Sequence, residues 1–318
     1  MNGTRASKLS IIGAGSVGTS VAYAALIRYS ARQVVLYDIN QPKVEAEVLD
    51  LAHGTPFTGV SHISGGSDLA LVADSDVIVV TAGAKQAPGQ TRLELAGENA
   101  TILRQLMPRL VALAPHAVYV LVTNPCDVLT VVAESCVDLP PGRLFSSGTV
   151  LDSARLRWLI GEAAAVAAQN VHALIIGEHG DSEFALWSDA TIGLTPLREW
   201  TDDADTLLFP RERLEGLTHD VVHAAARIIA GKGATNYAIG LSAARIVEAV
   251  LHNERAILPV STMLRGYRDI DGIALSVPSI VGARGVQRVL DVPMDDVEID
   301  LLHRSAEALQ RSLHSIGF

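Results

Sequence analysis

Aromatic side chains make up only 4% of this 318-residue chain. A core with so few of them must rest on Ala, Val, Ile and Leu, which favours close packing of helices on a sheet over a β-sandwich. Cysteine is almost missing. Cys126 and Cys136 form no CxxC pair and no histidine cluster of metal-ligand spacing, so a disulfide framework and a zinc module are excluded and no metal is expected. Two reduced, mostly buried thiols are predicted, as suits a cytoplasmic protein. Positive charge is in deficit, with a formal net charge of −10. This argues against a broad nucleic-acid surface, while a local anion site depends on local charge alone. No apolar run reaches the ~18 residues that cross a bilayer. The opening MNGTRASKLS lacks the apolar stretch of a secretion signal, so no membrane partner is expected.

What is present is 49% hydrophobic and 19% charged, enough for one large domain or two ordinary ones. The first half alternates short apolar runs with helical patterns. LSIIGAG, QVVLYD, DVIVVTAG and AVYVLVTNP read as strands; SVGTSVAYAALIRY and TILRQLMPRLVALAP read as helices. Strands that are apolar throughout, rather than alternating, are buried on both faces, as in a parallel sheet. The expected fold is α/β: a doubly wound parallel-sheet Rossmann domain over residues 1–146, then an α+β domain over 147–318. In the second half, DSARLRWLIGEAAAVA predicts a helix and NVHALIIGEHGD a strand entering a turn. Residues 218–253 predict a long helix broken near Gly231–Gly233, and AILPVSTML with GIALSVPSIVG predicts paired strands. The closing helix carries an apolar stripe of Leu301, Leu302, Leu309 and Leu313.

Gly13-Ala14-Gly15-Ser16-Val17-Gly18 is a GxGxxG stretch between a predicted strand and a predicted helix, and Asp38 ends the second strand twenty residues later. Glycines permit a tight turn and close backbone approach, and a helix N-terminus attracts a pyrophosphate. Asp38 can accept from a ribose 2′-hydroxyl and repels a 2′-phosphate, which favours NAD over NADP. Further along, His179 stands between Gly177 and Gly180, with room for a ligand. Asp152 and Arg155, three apart, share a helix face. A buried Asp beside an imidazole fixes its tautomer and favours its charged form, and a guanidinium fork suits a carboxylate. Taken singly, the histidine is equally a structural one and the Asp–Arg pair a helical salt bridge.

GAGSVG…YD, GAKQAPGQTRLEL, VTNPCDVLT, SGTVLDSARLR, IIGEHGDSEF and GKGATNYAIG occur here in the order characteristic of the L-lactate/malate dehydrogenase family. The chain resembles that family along essentially its whole length. The resemblance implies reversible, NADH-dependent reduction of pyruvate to L-lactate. It implies that His179 carries the proton, that Asp152 orients it, that Arg155 binds the substrate carboxylate and that Arg92 polarises the ketone. Asn124 and Thr235 then line the substrate pocket. Gly13, Gly15, Val17, Gly18, Asp38, Gly83, Thr123 and Asn124 are the candidate residues for NAD.

The loop from Gly83 to Arg92 has the Gly and Pro content of a hinged lid. At the Gln86 position, malate enzymes of the family carry Arg, which pairs with the second carboxylate of oxaloacetate. A neutral Gln leaves that carboxylate unpaired and so points to pyruvate. Ala87 and Asn236 depart from the commonest family pattern, which bears on substrate range. Malate dehydrogenase and an L-2-hydroxyacid dehydrogenase of broader range are the alternatives; a non-catalytic NAD-sensing protein on the same scaffold is a rival of another class. Arg157 and His172 resemble the positions at which bacterial members of the family bind fructose 1,6-bisphosphate between subunits. That resemblance implies an allosteric homotetramer.

Overall fold

The computed structural model describes residues 6–84 and 92–318. Its first half runs β1 (Lys8–Ile12), α1 (Ser16–Arg28), β2 (Gln33–Tyr37), α2 (Gln41–Gly54), β3 (His62–Gly66), β4 (Val77–Val80), α3 (Arg92–Leu113), β5 (Val118–Leu121), α4 (Cys126–Glu134) and β6 (Leu144–Ser146). Next come α5 (Val150–Ala164), β7 (Val171–His172), β8 (Ile175–Ile176), β9 (Phe184–Ala185), β10 (Thr191–Ile192) and β11 (Thr195–Pro196). The chain ends with α6 (Arg211–Lys232), α7 (Tyr237–Leu251), β12 (Ala256–Met263), β13 (Ala274–Gly282), β14 (Gly285–Val289) and α8 (Asp296–Ser315).

Among the described residues, one nine-stranded sheet has the order β14-β13-β12-β6-β5-β4-β1-β2-β3. The six strands of the first half are parallel, with Leu9 level with Val34 on one side and Val77 on the other. The order reverses between β1 and β4, and ligands bind at the carboxyl ends of strands flanking such a switch point. β12 joins β6 antiparallel through Ser261 and Ser146, so one sheet continues across residue 146. β12 and β13 pair along their length, as expected of AILPVSTML and GIALSVPSIVG.

The sheet is buried on both faces. Val21, Ala22 and Leu26 of α1 and Ile246 and Val247 of α7 cover one side; Leu103 and Met107 of α3, Leu129 of α4 and Leu302 and Leu309 of α8 cover the other. The shortage of aromatics shows its use where α1 meets α7. A Cβ on Gly240 would sit 2.8 Å from the Ser20 backbone, so these helices touch nearly backbone to backbone. The same two helices are joined by ions. Arg28 donates from Nε and Nη2 to Glu248 at 2.6 and 2.7 Å, and Ser30 Oγ donates to the same carboxylate at 2.9 Å. Burial opposes the charge on Glu248, but these bonds hold its carboxyl below the usual range. Arg28 is 42% exposed, so solvent screens the pair. Glu248→Ala is expected to cost about 1–2 kcal/mol in urea unfolding at neutral pH. A carboxyl depressed in the folded state stabilises above its unfolded pKa. The penalty should therefore shrink as pH falls through the carboxylate range.

NVHALIIGEHGD departs from the single strand expected. It forms β7 and β8, which belong to different small sheets: β7 pairs with β10 and β8 with β9. Between them the chain changes partners so that Gly177, at φ 95°, can pair with Ser276 of β13 and bring His179 against Asp127 of α4 and Asp152 of α5. The expected break in the long helix falls at Gly233, in the left-handed region at φ 85°.

Candidate active site

Gly13 closes β1 at φ 107°, and a Cβ there would lie 2.9 Å from Ala82 N and from Thr81 Oγ1. Gly18 packs more tightly still: its Cβ would fall 1.8 Å from Gly13 O. Gly15 is the opposite case. A Cβ there would meet nothing within 4 Å, and no side chain caps α1 or places an acid in its first turn. The glycine turn thus brings the uncapped N–H groups of α1, around half-buried Val17, to open space beside the switch point, which fits a pyrophosphate. Asp38 Oδ2 accepts from Ala14 N at 2.7 Å and Oδ1 accepts from Asn40 N at 2.9 Å. Its carboxylate therefore braces the turn it was expected to serve, at the edge where a ribose would lie.

Gly83 leaves β4 against Thr123, whose Oγ1 donates to Ala82 O at 2.8 Å. Asn99, a residue of α3 that sequence reasoning missed, ties the region together. It is 2% exposed, accepts from Ala84 N at 2.7 Å and donates to Asn124 O at 2.9 Å. The available signal was an Asn three residues after Ala96 and four before Leu103, on the apolar stripe of α3. Gln86 and its neighbours Lys85 and Ala87 lie outside the described residues. Arg92 is the first residue of α3.

The second half brings His179, Asp152 and Arg155 together. Asp152, 1% exposed on α5, accepts from Arg155 Nη1 through Oδ1, and its Oδ2 stands 2.7 Å from His179 Nδ1. Burial raises a carboxyl, but the charges and hydrogen bonds of His179 and Arg155 overcome it and hold Asp152 below its usual value. The same pairing works on the imidazole. Burial disfavours its charge, yet Asp152 and the nearby Glu183 carboxyl hold His179 well above the ordinary histidine value. With Asp152 ionised, Nδ1 keeps its proton and Nε2 is the atom that exchanges one.

Two acids near this ring were not picked out from the sequence. Asp127, on the apolar α4 and 2% exposed, accepts from His179 N at 2.6 Å and so pins the histidine's backbone. Burial pushes its carboxyl up to about 6, against the pull of His179. Glu183 Oε2 lies 3.7 Å from His179 Nδ1. Their signals were a lone acid inside CDVLTVV and an acid leading into the apolar FALW. Ligand atoms of Asp152, His179 and Glu183 lie within 4.8 Å of one another. Arg155 already neutralises Asp152, which makes the group a proton site rather than a cation cage.

Arg155 and Thr235 line one cavity of ≈ 430 Å³ with Leu151, Trp158 and Tyr237. Asn236, beside it, donates to Ser20 Oγ at 3.0 Å and so fastens the start of α7 to α1. Arg157 lies on another face of α5, half-buried, with Nε donating to Ser153 O at 3.2 Å. His172 is exposed on β7.

Residues 7–146 match the family model described as lactate/malate dehydrogenase, NAD binding domain, and residues 149–316 match its alpha/beta C-terminal domain. The chain belongs to the lactate/malate dehydrogenase family. Its relatives in that family include the L-lactate dehydrogenase of Bifidobacterium animalis subsp. lactis, 45% identical over 98% of this chain and 97% of that protein. Another is the L-lactate dehydrogenase of a Synechococcus strain, 44% identical over 97% and 99%. Among solved structures, a lactate dehydrogenase from a Medee basin deep-sea metagenome superposes with TM-score 0.94 at 35% identity over 99% and 100% of the two chains. The minor L-lactate dehydrogenase of Enterococcus mundtii gives 0.92 at 39% identity over 97% and 98%. The glycine turn at the switch point lies within the family's NAD-binding domain, and the His179 cluster within its C-terminal domain.

Proposed function

We propose that this protein is an NAD-dependent L-lactate dehydrogenase that reversibly reduces pyruvate to L-lactate. One observation carries the reading: a histidine bonded to a buried aspartate that is itself bonded to an arginine lining a cavity. Gly13, Gly15, Val17, Gly18 and Asp38 would hold the pyrophosphate and adenosine ribose, and Gly83, Thr123 and Asn124 the nicotinamide end. When bound, NAD supplies or accepts the hydride. Arg155 presents its guanidinium fork to the substrate carboxylate, with Thr235 on the wall of the same cavity. His179 gives its Nε2 proton to the ketone oxygen during reduction and takes it back during oxidation, while Asp152 stabilises the imidazolium. Arg92, at the head of α3, is assigned to the developing oxyanion.

Gln86 is assigned to substrate choice, because it offers no charge to a second carboxylate. Following NADH oxidation with pyruvate and with oxaloacetate tests this. Pyruvate should be preferred at least about tenfold. A preference for oxaloacetate makes the chain a malate dehydrogenase, and comparable rates with longer 2-oxo acids make it a broader L-2-hydroxyacid enzyme.

Fructose 1,6-bisphosphate is the proposed activator, bound by Arg157 and His172. Arg157 has a carbonyl partner and, among the described residues, no carboxylate within ion-pair reach. Burial lowers its pKa, so a phosphate dianion would relieve it. The expected result is a lower apparent KM for pyruvate with the sugar; an unchanged saturation curve removes this assignment. A homotetramer is the proposed assembly. Exposed Tyr23, Ile27, Tyr237 and Leu241 border a cavity of ≈ 810 Å³ lined by α1, α2 and the start of α7, an apolar surface suited to a second copy. Light scattering gives the mass directly. The proposed setting is cytoplasmic glycolysis and fermentation, consistent with free Cys126 and Cys136.

A further inference from the structure

Two carboxyl groups lie within 4 Å of His179 Nδ1, and the proton chemistry above uses one of them. Asp152 Oδ2 is at 2.7 Å and Glu183 Oε2 at 3.7 Å. The Glu183 side chain is 3% exposed, and among the described residues Oε2 has no hydrogen-bond partner. A carboxylate oxygen withdrawn from water and left unbonded is costly unless a cation faces it. The residue is held in place. It immediately precedes Phe184 and Ala185, which are buried in β9, and its backbone N–H reaches Gly180 O across the turn that carries His179.

We propose that Glu183 is a positioning residue for proton transfer, the second counter-charge of the His179 imidazolium, and that it extends pyruvate reduction to higher pH. This rests on His179 being the proton carrier. The charged and titratable groups around the ring come from three elements. α5 contributes Asp152 and Arg155, and the histidine's own turn contributes Glu178 and Glu183. From α4 come Asp127, which engages the backbone N–H, and Cys126, whose thiol burial pushes up to about 12. Before transfer, the imidazolium and the Arg155 guanidinium balance the carboxylates of Asp152 and Glu183. When Nε2 has given its proton to the ketone oxygen, the ring keeps its Nδ1 proton and both carboxylates face Arg155 alone. That imbalance favours return of a proton from solvent to the site. Burial pushes the Glu183 carboxyl up to about 7, against the pull of His179, so its charge changes near neutrality.

The test is the pH profile of kcat/KM for pyruvate in the parent, Glu183→Gln and Glu183→Asp, with an NMR titration of the His179 ring in each apo protein. Loss of the carboxylate should move the alkaline limb, and the ring's midpoint, down by about one pH unit. Activity then falls about tenfold on that limb and far less in acid. Glu183→Asp should recover part of the shift. A limb and ring midpoint that stay in place overturn the proposal, and so does a uniform loss at every pH, which is what a packing role would produce. The ring titration needs no substrate, so a chain that fails to reduce pyruvate sinks the functional reading while the Glu183 proposal is still judged. Should Glu183→Gln not fold, parallel carboxyl and ring titrations in the parent decide. Linked steps support the proposal and independent ones overturn it.

Discussion

An Asp152→Asn variant is expected to reduce pyruvate with kcat/KM about 10²- to 10⁴-fold below the parent at neutral pH. The variant keeps nearly the same shape and removes one charge from a site where it is 1% exposed. Two partners lose it together. His179 is held well above the ordinary histidine value by Asp152 against the effect of burial. Without that carboxylate burial dominates, and the ring is neutral where reduction requires it protonated. Arg155, bonded to the other oxygen and part of the cavity wall, loses its charged partner. The sign with pH follows. Lowering the His179 pKa moves the alkaline limb of pyruvate reduction toward acid, so the deficit should be smallest at low pH. Lactate oxidation uses the neutral ring and should suffer less from the protonation change. Steady-state kinetics in both directions across a pH series checks this. A loss under tenfold at neutral pH, in a variant with unchanged circular dichroism, would falsify the assignment of Asp152 to the proton relay.

The second large effect concerns the cofactor crevice. Gly18→Ala should weaken NADH binding about 10- to 100-fold, with a stability loss of about 1–3 kcal/mol. The new methyl would lie 1.8 Å from Gly13 O and 2.7 Å from Thr81 Oγ1. Neither neighbour yields easily. Gly13 is itself held by the 2.7 Å bond from its N–H to Tyr37 O, and Thr81 Oγ1 donates to Ile12 O and Gly13 O at 3.1 Å. The strain must open the gap between β1 and α1, tilting the uncapped N–H groups away from the pyrophosphate position. Gly15→Ala is the internal control, since its Cβ meets only open space in the free protein. It should fold with parental stability and still bind NADH less well, because a ligand comes to occupy that space. Fluorescence titration with NADH beside urea unfolding separates the two. Equal affinity in Gly18→Ala and the parent would mean that the turn does not set the approach to the cofactor.

Local features were legible where one segment contains the whole cause. The strand Lys8–Ile12, the glycine turn and the helix after it form one stretch with Asp38 a fixed distance on, and the structure joins them by short-range contacts such as Asp38 to Ala14 N. Asp152 and Arg155 are three apart on one helix, so their contact follows from helical pitch. The closing helix was readable in the same way, with Leu302, Leu309 and Leu313 of the predicted stripe buried and Leu301 partly so. NVHALIIGEHGD was misread because the apolar stretch from Ala173 to Ile176 runs through the change of strand partner and does not reveal it.

By itself the sequence determined the parallel sheet, through strands apolar on both faces, and the tight turn after β1, through glycine's freedom at positive φ. It also contained the residues that give the site its chemistry. Which of those residues meet was decided only by tertiary structure, because the distances involved are set by packing between elements far apart in the chain. His179 reaches Asp152 across 27 residues and receives its backbone support from Asp127 across 52. Asn99 joins the ends of β4 and β5 from a third element. Glu183 looks like one more surface acid in GEHGDSEF, and it acquires chemical meaning only when β9 buries it against the ring. Burial is a property of the assembled fold, and in this site burial, set against nearby opposite charge, decides which groups hold a proton at neutral pH.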